Sequence, residues 1–238
     1  MTPPGFAALW RRLAPMAVLV VLAMWPAAAE AQVYIGSDAP RRGSVEISGG
    51  AVYSGGFDMG SRNAEETRNI NTGTGPFTLF ATDTRAGAAP GAQLTVGVYL
   101  SKAISIEAGV QYGRAKVSST LTSDAENAPD LTAEETMTRY LAQGSLVLHL
   151  TRLSFGGGRG VPFVSSGGGY LRELHERNEY VETGREYHAT AGLNYWFGRT
   201  PRVGVRVDAG ASIRDGGADF QSGRRTVPTA GFSLAYLF

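Results

Sequence analysis

The sequence predicts an all-β fold, namely an antiparallel up-and-down transmembrane β-barrel of about eight strands. Two observations predict this fold: apolar residues recur at every second position in segment after segment, and the residues between them are mainly small or polar. Helical periodicity is absent, and no stretch after residue 32 is apolar for long enough to form a membrane helix. We therefore expect strands of about 9–11 residues or more, the length that a tilted transmembrane strand needs.

The beginning of the chain has the organisation of an export signal. Arg11 and Arg12 supply positive charge, and residues 13–25 form an apolar run that small residues follow. The run is shorter than the roughly 20 residues that a helix needs to cross a bilayer, so we expect cleavage before Gln32 rather than an uncleaved anchor. The expected divisions are a signal peptide (1–31), a periplasmic N-terminal segment (32–43) and a barrel (44–238).

The composition excludes several classes of protein. Among the 238 residues, 32 are glycine, none is cysteine and 18% are charged. Without cysteine there is no disulfide framework and no thiolate metal site. The formal net charge of +1 gives no electrostatic case for binding nucleic acid. The length suits a single domain.

Alternation of apolar and polar residues is clear in most of the barrel region. The segments that show it are 44–57, 93–101, 104–117, 138–150, 185–197, 203–214 and 227–238. In 104–117, for example, Ile106 and Val110 belong to the apolar row, while Glu107 and Gln111 belong to the opposite row. Each of these segments is expected to be a strand.

In two parts of the barrel region the alternation is less regular, and side chains are assigned to a face from fewer residues. Phe57 closes the first segment and is assigned to the apolar row. In 161–173, a run of serine and glycine carries little periodicity, and we assign Phe163 and Leu171 to the apolar face and Arg172 to the polar face.

The connections between strands alternate in length. Those at 101–103 and 198–202 are short and the one at 151–160 is intermediate, whereas those at 58–90, 118–136, 174–184 and 215–226 are longer and polar. Short periplasmic turns and longer external loops are typical of outer-membrane barrels. Both termini are then expected on the periplasmic side.

The composition of the two faces indicates which one meets lipid. The less apolar face is mainly Gly, Ser, Ala and Thr, which suits the narrow interior of an eight-stranded barrel better than a solvated outer surface. Aromatic residues recur near strand ends: Tyr53, Phe57, Tyr112, Tyr140, Tyr187, Tyr195, Phe197, Tyr236 and Phe238. Amphipathic rings favour the membrane interface, so two aromatic belts are expected, with the apolar face in lipid.

Charged residues on the inward face come in both signs. They are Glu46, Glu107, Arg139, Arg206, Asp208 and Arg214. An unpaired buried charge is very costly, so these side chains are expected to form a lumen charge network. We expect Glu46 and Glu107 to face Arg139.

The end of the chain, Gly231-Phe232-Ser233-Leu234-Ala235-Tyr236-Leu237-Phe238, resembles that of the small OmpA/OmpX-like outer-membrane barrels. It ends in an aromatic residue with a second aromatic two positions earlier, and Ser233 occupies the position where the family prefers glycine. The resemblance implies that Tyr236 and Phe238 form the signal read by the barrel-assembly machinery. It also implies a location in the outer membrane of a Gram-negative bacterium.

Residues that could carry chemistry are few. His149, His175 and His188 are the chain's 3 histidines, and we expect no metal site because they are placed on different levels of the barrel. His175 with Glu173 and Glu176, or His188 with a serine, could form a hydrolytic arrangement, but no characteristic motif supports it. We therefore expect no catalysis and no cofactor. Gly156, Gly157 and Gly158 are predicted to form a turn.

These features favour a monomeric barrel with a plugged polar lumen and a structural or surface-interaction role through four external loops. Outer-membrane lipids and lipopolysaccharide are the expected partners, with Arg224 and Arg225 as candidates for contact with lipopolysaccharide phosphates and Arg41 and Arg42 for periplasmic head groups. Two other functions stay open, namely a narrow pore for small solutes and a lipid-modifying enzyme.

Overall fold

Strands form in the segments that alternate and continue past them at one end of the molecule. The computed structural model describes residues 40–66, 77–122, 130–176, 180–197, 202–216 and 224–238, so the predicted signal peptide lies outside the described residues. The strands are β1 Val45–Ser54, β2 Phe57–Glu66, β3 Phe77–Ala86, β4 Ala89–Tyr99, β5 Ile104–Thr122, β6 Thr132–His149, β7 Gly160–His175, β8 Tyr180–Phe197, β9 Val203–Gly216 and β10 Arg225–Leu237. A short 3₁₀ helix occupies Thr151–Leu153. Within the described ranges, no helix is long and apolar enough to cross a bilayer.

The strands close into a ring in which neighbouring strands are antiparallel. β1 pairs with β4 on one side and with β10 on the other, and β4 to β10 pair with one another in chain order. Together β1 and β4 to β10 make a closed barrel of 8 strands. Closure lets the backbone hydrogen bonds of the ring be satisfied without water, as a membrane-spanning sheet requires. The predicted fold is confirmed.

β2 and β3 form a hairpin that continues β1 and β4 beyond the ring. β3 pairs with the distal part of β5, from Ala81 opposite Thr122 to Ala86 opposite Val117. The end of the barrel with this hairpin is called the hairpin end below. The opposite end, with Phe238 and the turn after β4, is called the turn end.

The predicted long loops are shorter in the structure than in the sequence-based assignment. Most of 58–90 is strand, and the predicted loops at 118–136, 174–184 and 215–226 are also partly strand. The assignment was wrong because the outward face of these extensions is polar: Arg85 and Asp58, for example, form an exposed ion pair of 2.6 Å between neighbouring strands. Without an apolar row, the alternation that identifies a membrane strand disappears.

Apolar side chains cover the outside of the ring between two groups of aromatic residues. Exposed large apolar residues include Ile47, Leu94, Ile106, Val110, Leu146, Leu148, Val164, Val207, Ile213, Phe232 and Leu234. Towards the hairpin end, Tyr112 and Tyr140 lie opposite each other with ring centroids 5.5 Å apart. Towards the turn end, the Tyr236 and Phe238 rings are 4.7 Å apart. The apolar rows therefore face outwards, with an aromatic group at each edge.

Phe57 faces inwards, which corrects its assignment to the outer row. Ser54 and Met59 are five positions apart, so on one continuous strand they would lie on opposite faces of the sheet. In the structure, Ser54 of β1 and Met59 of β2 are both buried. Gly55 and Gly56 separate the two strands and change the phase of the alternation between them. The sequence pattern does not reveal that interruption.

The faces assigned to 161–173 are also wrong. Phe163 and Leu171 are buried at 1% and 0% exposure, while Val164 and Tyr170 are exposed. Arg172 shares the outward row with Tyr170 and pairs across the sheet with Tyr140. Small residues in the middle of this strand removed the contrast between its faces.

Candidate functional site in the barrel lumen

A group of charged residues spans the lumen towards the turn end. Arg206 Nη1 donates a hydrogen bond to Glu107 Oε1 at 2.7 Å, from β9 to β5. The Arg206 guanidinium also lies near Asp208, with Nε 3.7 Å from Oδ1, and near Glu46, with Nη1 4.0 Å from Oε1. Tyr99 donates its hydroxyl proton to Glu46 Oε2 at 2.7 Å. We call Glu46, Tyr99, Glu107, Arg206 and Asp208 the turn-side cluster.

A second charged group lies further towards the hairpin end. Arg139 Nε donates to Glu173 Oε1 at 2.8 Å, and Arg214 Nε donates to Glu186 Oε2 at 2.7 Å. The Ser54 hydroxyl oxygen accepts hydrogen bonds from both arginines, at 3.4 Å from Arg139 Nη1 and 2.8 Å from Arg214 Nη2. All five side chains are buried. We call them the hairpin-side cluster.

The structure therefore divides the predicted network in two. Glu46, Glu107, Arg206 and Asp208 are brought together as the turn-side cluster. The expected arrangement of Glu46 and Glu107 facing Arg139 is wrong, because the close carboxylate partner of Arg139 is on the neighbouring β7.

Sequence reasoning missed the carboxylates of the hairpin-side cluster. Glu186 lies in an alternating segment, two residues before His188, and so belongs to the same polar row. Glu173 was placed at the end of a segment whose faces were assigned the wrong way round. Counting the alternation of β7 back from His175 instead would have put Glu173 on the inward row.

Neutral polar side chains occupy the lumen between the clusters. They form hydrogen bonds with one another, some between neighbouring strands and some between strands that are not adjacent. Gln93 Nε2 donates to Ser233 Oγ at 2.9 Å, and the hydroxyls of Ser165 and Thr190 are 2.7 Å apart. His188 Nε2 lies 2.9 Å from Ser145 Oγ. The pairing of polar groups follows the physical requirement that groups removed from water keep hydrogen-bond partners.

Apolar residues lie beyond the charged clusters at each end. At the hairpin end, Met59, Ala86, Ala89, Ala115, Val117 and Met137 pack together with Phe57 against them. The Phe57 ring also lies 4.4 Å from the Arg225 guanidinium and 5.9 Å from that of Arg139. At the turn end, Tyr99, Trp196, Ala235 and Leu237 form a second buried group. The lumen is thus built in polar layers between two apolar ones.

The three histidines have separate environments. His149 Nε2 lies 3.0 Å from Ser105 Oγ at the turn end, whereas His175 Nδ1 lies 2.6 Å from Glu135 Oε1 at the hairpin end. His188 lies between them on β8. In the part of the chain that the structure describes, no group of three or more His, Asp or Glu side chains could hold a metal ion.

The carboxylates next to His175 point in different directions. Glu173 belongs to the buried hairpin-side cluster, whereas Glu176 lies on the outer surface. Glu176 accepts hydrogen bonds from Thr138 Oγ1 at 2.7 Å and from Arg114 Nη2 at 2.8 Å. The hydrogen bond from Thr138, together with the Arg114 charge, lowers the pKa of Glu176. These groups do not converge on one reacting position.

The remaining candidate residues lie at the barrel ends. Tyr236 and Phe238 face outwards at the turn end, where the Phe238 amide donates to the Val45 carbonyl at 2.8 Å and so ties the last strand to the first. Arg225 faces the lumen and contacts Phe57. Arg224 is exposed, with Nε 3.6 Å from Asp215 Oδ2.

Comparison with solved structures supports the fold. The crystal structure of the outer membrane protein OprG from Pseudomonas aeruginosa is similar with a TM-score of 0.55 and 10% sequence identity, covering 84% of this chain and 98% of that one. The outer membrane protease OmpT from Escherichia coli matches at a TM-score of 0.34 and 12% identity, over 82% of this chain and 96% of that one, which is too low to carry an argument. No protein-family model and no curated protein sequence matches the chain. The chain has the fold of a small outer-membrane β-barrel.

Proposed function

We propose that the protein resides in a bacterial outer membrane as a barrel whose lumen is closed by its own side chains. The observation that carries the proposal is the pair of buried charged clusters lying one above the other, each linking side chains from several strands across the lumen. The apolar groups at both ends add to this closure. An eight-stranded barrel has an interior just wide enough for side chains to fill.

The function that fits a closed barrel is the presentation of its hairpin end. The turn end carries short connections and both ends of the barrel chain, as expected for the periplasmic side. The hairpin end carries the β2–β3 extension and the connections after β5, β7 and β9. We therefore propose a structural or surface-interaction role, as a monomer held among outer-membrane lipids and lipopolysaccharide after insertion by the barrel-assembly machinery.

Planar-bilayer recording tests the closed lumen. We expect the purified, folded protein to insert without stable single-channel conductance in simple salt. The specific observation that favours the alternative, a narrow pore, is the run of neutral polar side chains between the clusters. A steady conductance that changes when Glu107 or Arg206 is replaced by alanine would overturn closure and favour the pore.

We further propose that the barrel has no catalytic role in lipid modification. The half-buried positions of Ser145 and His188 in the middle of the lumen support this, since a lipid substrate would have to reach them past the charged clusters. Mass spectrometry of lipid A from cells with and without the gene is expected to give the same spectra. A modification that appears only with the gene would establish the enzyme instead.

A further inference from the structure

The exposed charges are distributed unequally between the two ends of the barrel. At the hairpin end, several exposed cations have carboxylate partners, in the pairs Arg85–Asp58, Arg114–Glu176, Lys116–Glu134 and Arg224–Asp215. At the turn end, the described segments outside the strands contain no aspartate or glutamate; these segments are 40–44, 100–103, 150–159 and residue 202. Their exposed cations are Arg42, Lys102, Arg152, Arg159 and Arg202. We call these five residues the turn-end cations.

The turn-end cations are spread around the circumference of the barrel. Arg42 precedes β1, Lys102 lies between β4 and β5, Arg152 and Arg159 lie between β6 and β7, and Arg202 precedes β9. Since β1 and β4 to β10 follow one another around the ring, these positions surround its edge. Each lysine or arginine held at an anionic lipid surface strengthens binding by about fivefold. This edge therefore favours a negatively charged partner along its whole length.

The connection between β6 and β7 carries apolar side chains between its two cations. Leu153 and Phe155 lie there and are 64% and 50% exposed. The three glycines at 156–158 all have positive φ, a conformation that side chains disfavour, and they close a tight turn. Phe155 and Gly160 exchange backbone hydrogen bonds of 3.0 and 3.1 Å at its base. The turn thus has a defined shape that presents apolar and positive groups together.

Arg159 places one of the positive charges beside the outer aromatic residues. Its guanidinium carbon lies 5.9 Å from the centroid of the Tyr195 ring, and its Nε donates a hydrogen bond to the Gly156 carbonyl at 2.9 Å. The Tyr195 and Phe197 rings are in turn 5.6 Å apart. Aromatic residues at the edge of a membrane protein lie at the level of the lipid head groups. In the proposed location, the Arg159 guanidinium is therefore at the depth of the lipid phosphates.

The exposed apolar residues favour a lipid over a soluble acidic partner. A soluble polyanion would account for the cations but not for Leu100, Leu153 and Phe155, which are 48%, 64% and 50% exposed among them. Apolar side chains interleaved with cations are typical of segments that lie in the membrane interface. The combination points to a lipid with a negative head group.

We infer that the turn-end cations bind the phosphates of anionic glycerophospholipids, while Leu100, Leu153 and Phe155 contact the apolar part of the same leaflet. The inference rests on the proposed residence in the outer membrane and deepens it, because it names the class of lipid that the turn end selects. Arginine forms paired hydrogen bonds with phosphate oxygens. A zwitterionic head group carries its own cation, which competes for the phosphate, so a lipid with net negative charge is preferred.

Spin-labelled lipids measure this selectivity directly. The folded barrel, purified from the outer membranes of expressing cells, is reconstituted into phosphatidylcholine bilayers with a trace of spin-labelled phosphatidylglycerol or phosphatidylcholine. The fraction of label with restricted motion gives the affinity of each lipid for the protein surface. We expect an average preference for phosphatidylglycerol of about threefold, because lipids beside a cation gain about fivefold and those of the other leaflet gain nothing. Salt at 1 M is expected to abolish the preference, since it screens charges beyond roughly 3 Å.

Two variants of equal charge assign the preference to one end of the barrel. The turn-end variant combines Arg42→Gln, Lys102→Gln, Arg152→Gln, Arg159→Gln and Arg202→Gln, and is expected to bind the two lipids equally. The control combines five exposed substitutions at the hairpin end, Arg62→Gln, Arg85→Gln, Arg114→Gln, Lys116→Gln and Arg185→Gln, and is expected to keep the preference.

Nitroxide labels test the contact of the apolar residues with lipid. Leu153→Cys and, as a control at the other end, Leu131→Cys would each carry one label in bilayers containing phosphatidylglycerol. We expect the label at 153 to be accessible to oxygen and protected from a water-soluble nickel complex, and the label at 131 to be accessible to the nickel complex.

Each alternative outcome overturns the inference. Equal affinities of the two lipids for the parent barrel exclude selection, and an equal loss of preference in both variants reduces it to an effect of net charge. Binding of soluble polyglutamate that requires the turn-end cations, with no lipid preference, assigns them to a soluble acidic partner. If the turn-end variant does not fold, Arg152→Gln with Arg159→Gln decides, because an unchanged preference contradicts the assignment. A barrel that inserts without conductance but selects no lipid refutes this inference and leaves the proposed function intact.

Discussion

The lumen charges follow one rule at the scale of single residues: each buried arginine has its own close carboxylate. Arg139, Arg206 and Arg214 each contact a glutamate oxygen at 2.7–2.8 Å. Burying both members of such a pair adds little stability over a well-packed apolar pair, but removing one member leaves an uncompensated charge. The clusters therefore serve less as a source of stability than as a constraint on which side chains can fill the lumen.

Glu107→Gln tests this rule in the turn-side cluster. It removes the charge closest to Arg206, and we expect the free energy of unfolding to fall by roughly 3 kcal/mol. The fall is at the lower end of the usual range because Asp208 and Glu46 stay within 3.7 and 4.0 Å of the guanidinium. Urea titration followed by the shift of the folded band on unboiled gels measures it.

Glu134→Gln is the matched control for that variant. It removes the same charge from an exposed pair with Lys116, whose atoms are 3.5 Å apart, and no measurable change is expected. Equal effects of the two variants would contradict the burial of charge in the lumen.

Sequence reasoning at this scale found the three buried arginines but missed the glutamates that pair with Arg139 and Arg214. The alternation placed Arg206 and Glu107 on the inward face, where they lie in the structure. Their pairing depends on which positions meet across the barrel, and that is set by strand register and curvature. Tyr99 illustrates the same limit: it is buried in the lumen, and its hydrogen bond to Glu46 depends on the β1–β4 register.

At the scale of strands, the apolar row marks only the part that faces lipid. β5 alternates from Ile104 to Tyr112 with its apolar residues exposed, then continues to Thr122 with charged and hydroxyl side chains outside. The pattern was therefore sufficient to place β5 and insufficient to find its end. The β2–β3 hairpin was missed for the same reason.

A charge placed on the lipid-facing row should be far more costly than one placed beyond it. Leu146 of β6 is 57% exposed within the apolar zone, and Leu131, just before β6, is 65% exposed past the aromatic group. We expect Leu146→Arg to destabilise the barrel in lipid bilayers by about 2–4 kcal/mol. Leu131→Arg is expected to have little effect. Equal urea midpoints for the two variants in bilayers would contradict the placement of the membrane.

At the scale of the whole molecule, the barrel has an apolar exterior, a polar layered interior and a closed seam between β1 and β10. In the sequence, the even number of strands was the only indication that β1 and β10 pair. The structure shows the register of this pairing, from Glu46 opposite Leu237 to Ser54 opposite Thr229. The proposed location, closed lumen and orientation all depend on an exterior that faces lipid.

The absence of native cysteine permits the most direct test of that exterior. Single cysteines introduced at each position from 104 to 112 of β5 would carry nitroxide labels in lipid bilayers, and their accessibility to oxygen and to a water-soluble nickel complex would be measured. We expect high oxygen accessibility at 104, 106, 108 and 110 and low accessibility to both agents at 105, 107, 109 and 111. High nickel accessibility at the first set, with no alternation in oxygen accessibility, would contradict a barrel whose apolar rows face lipid.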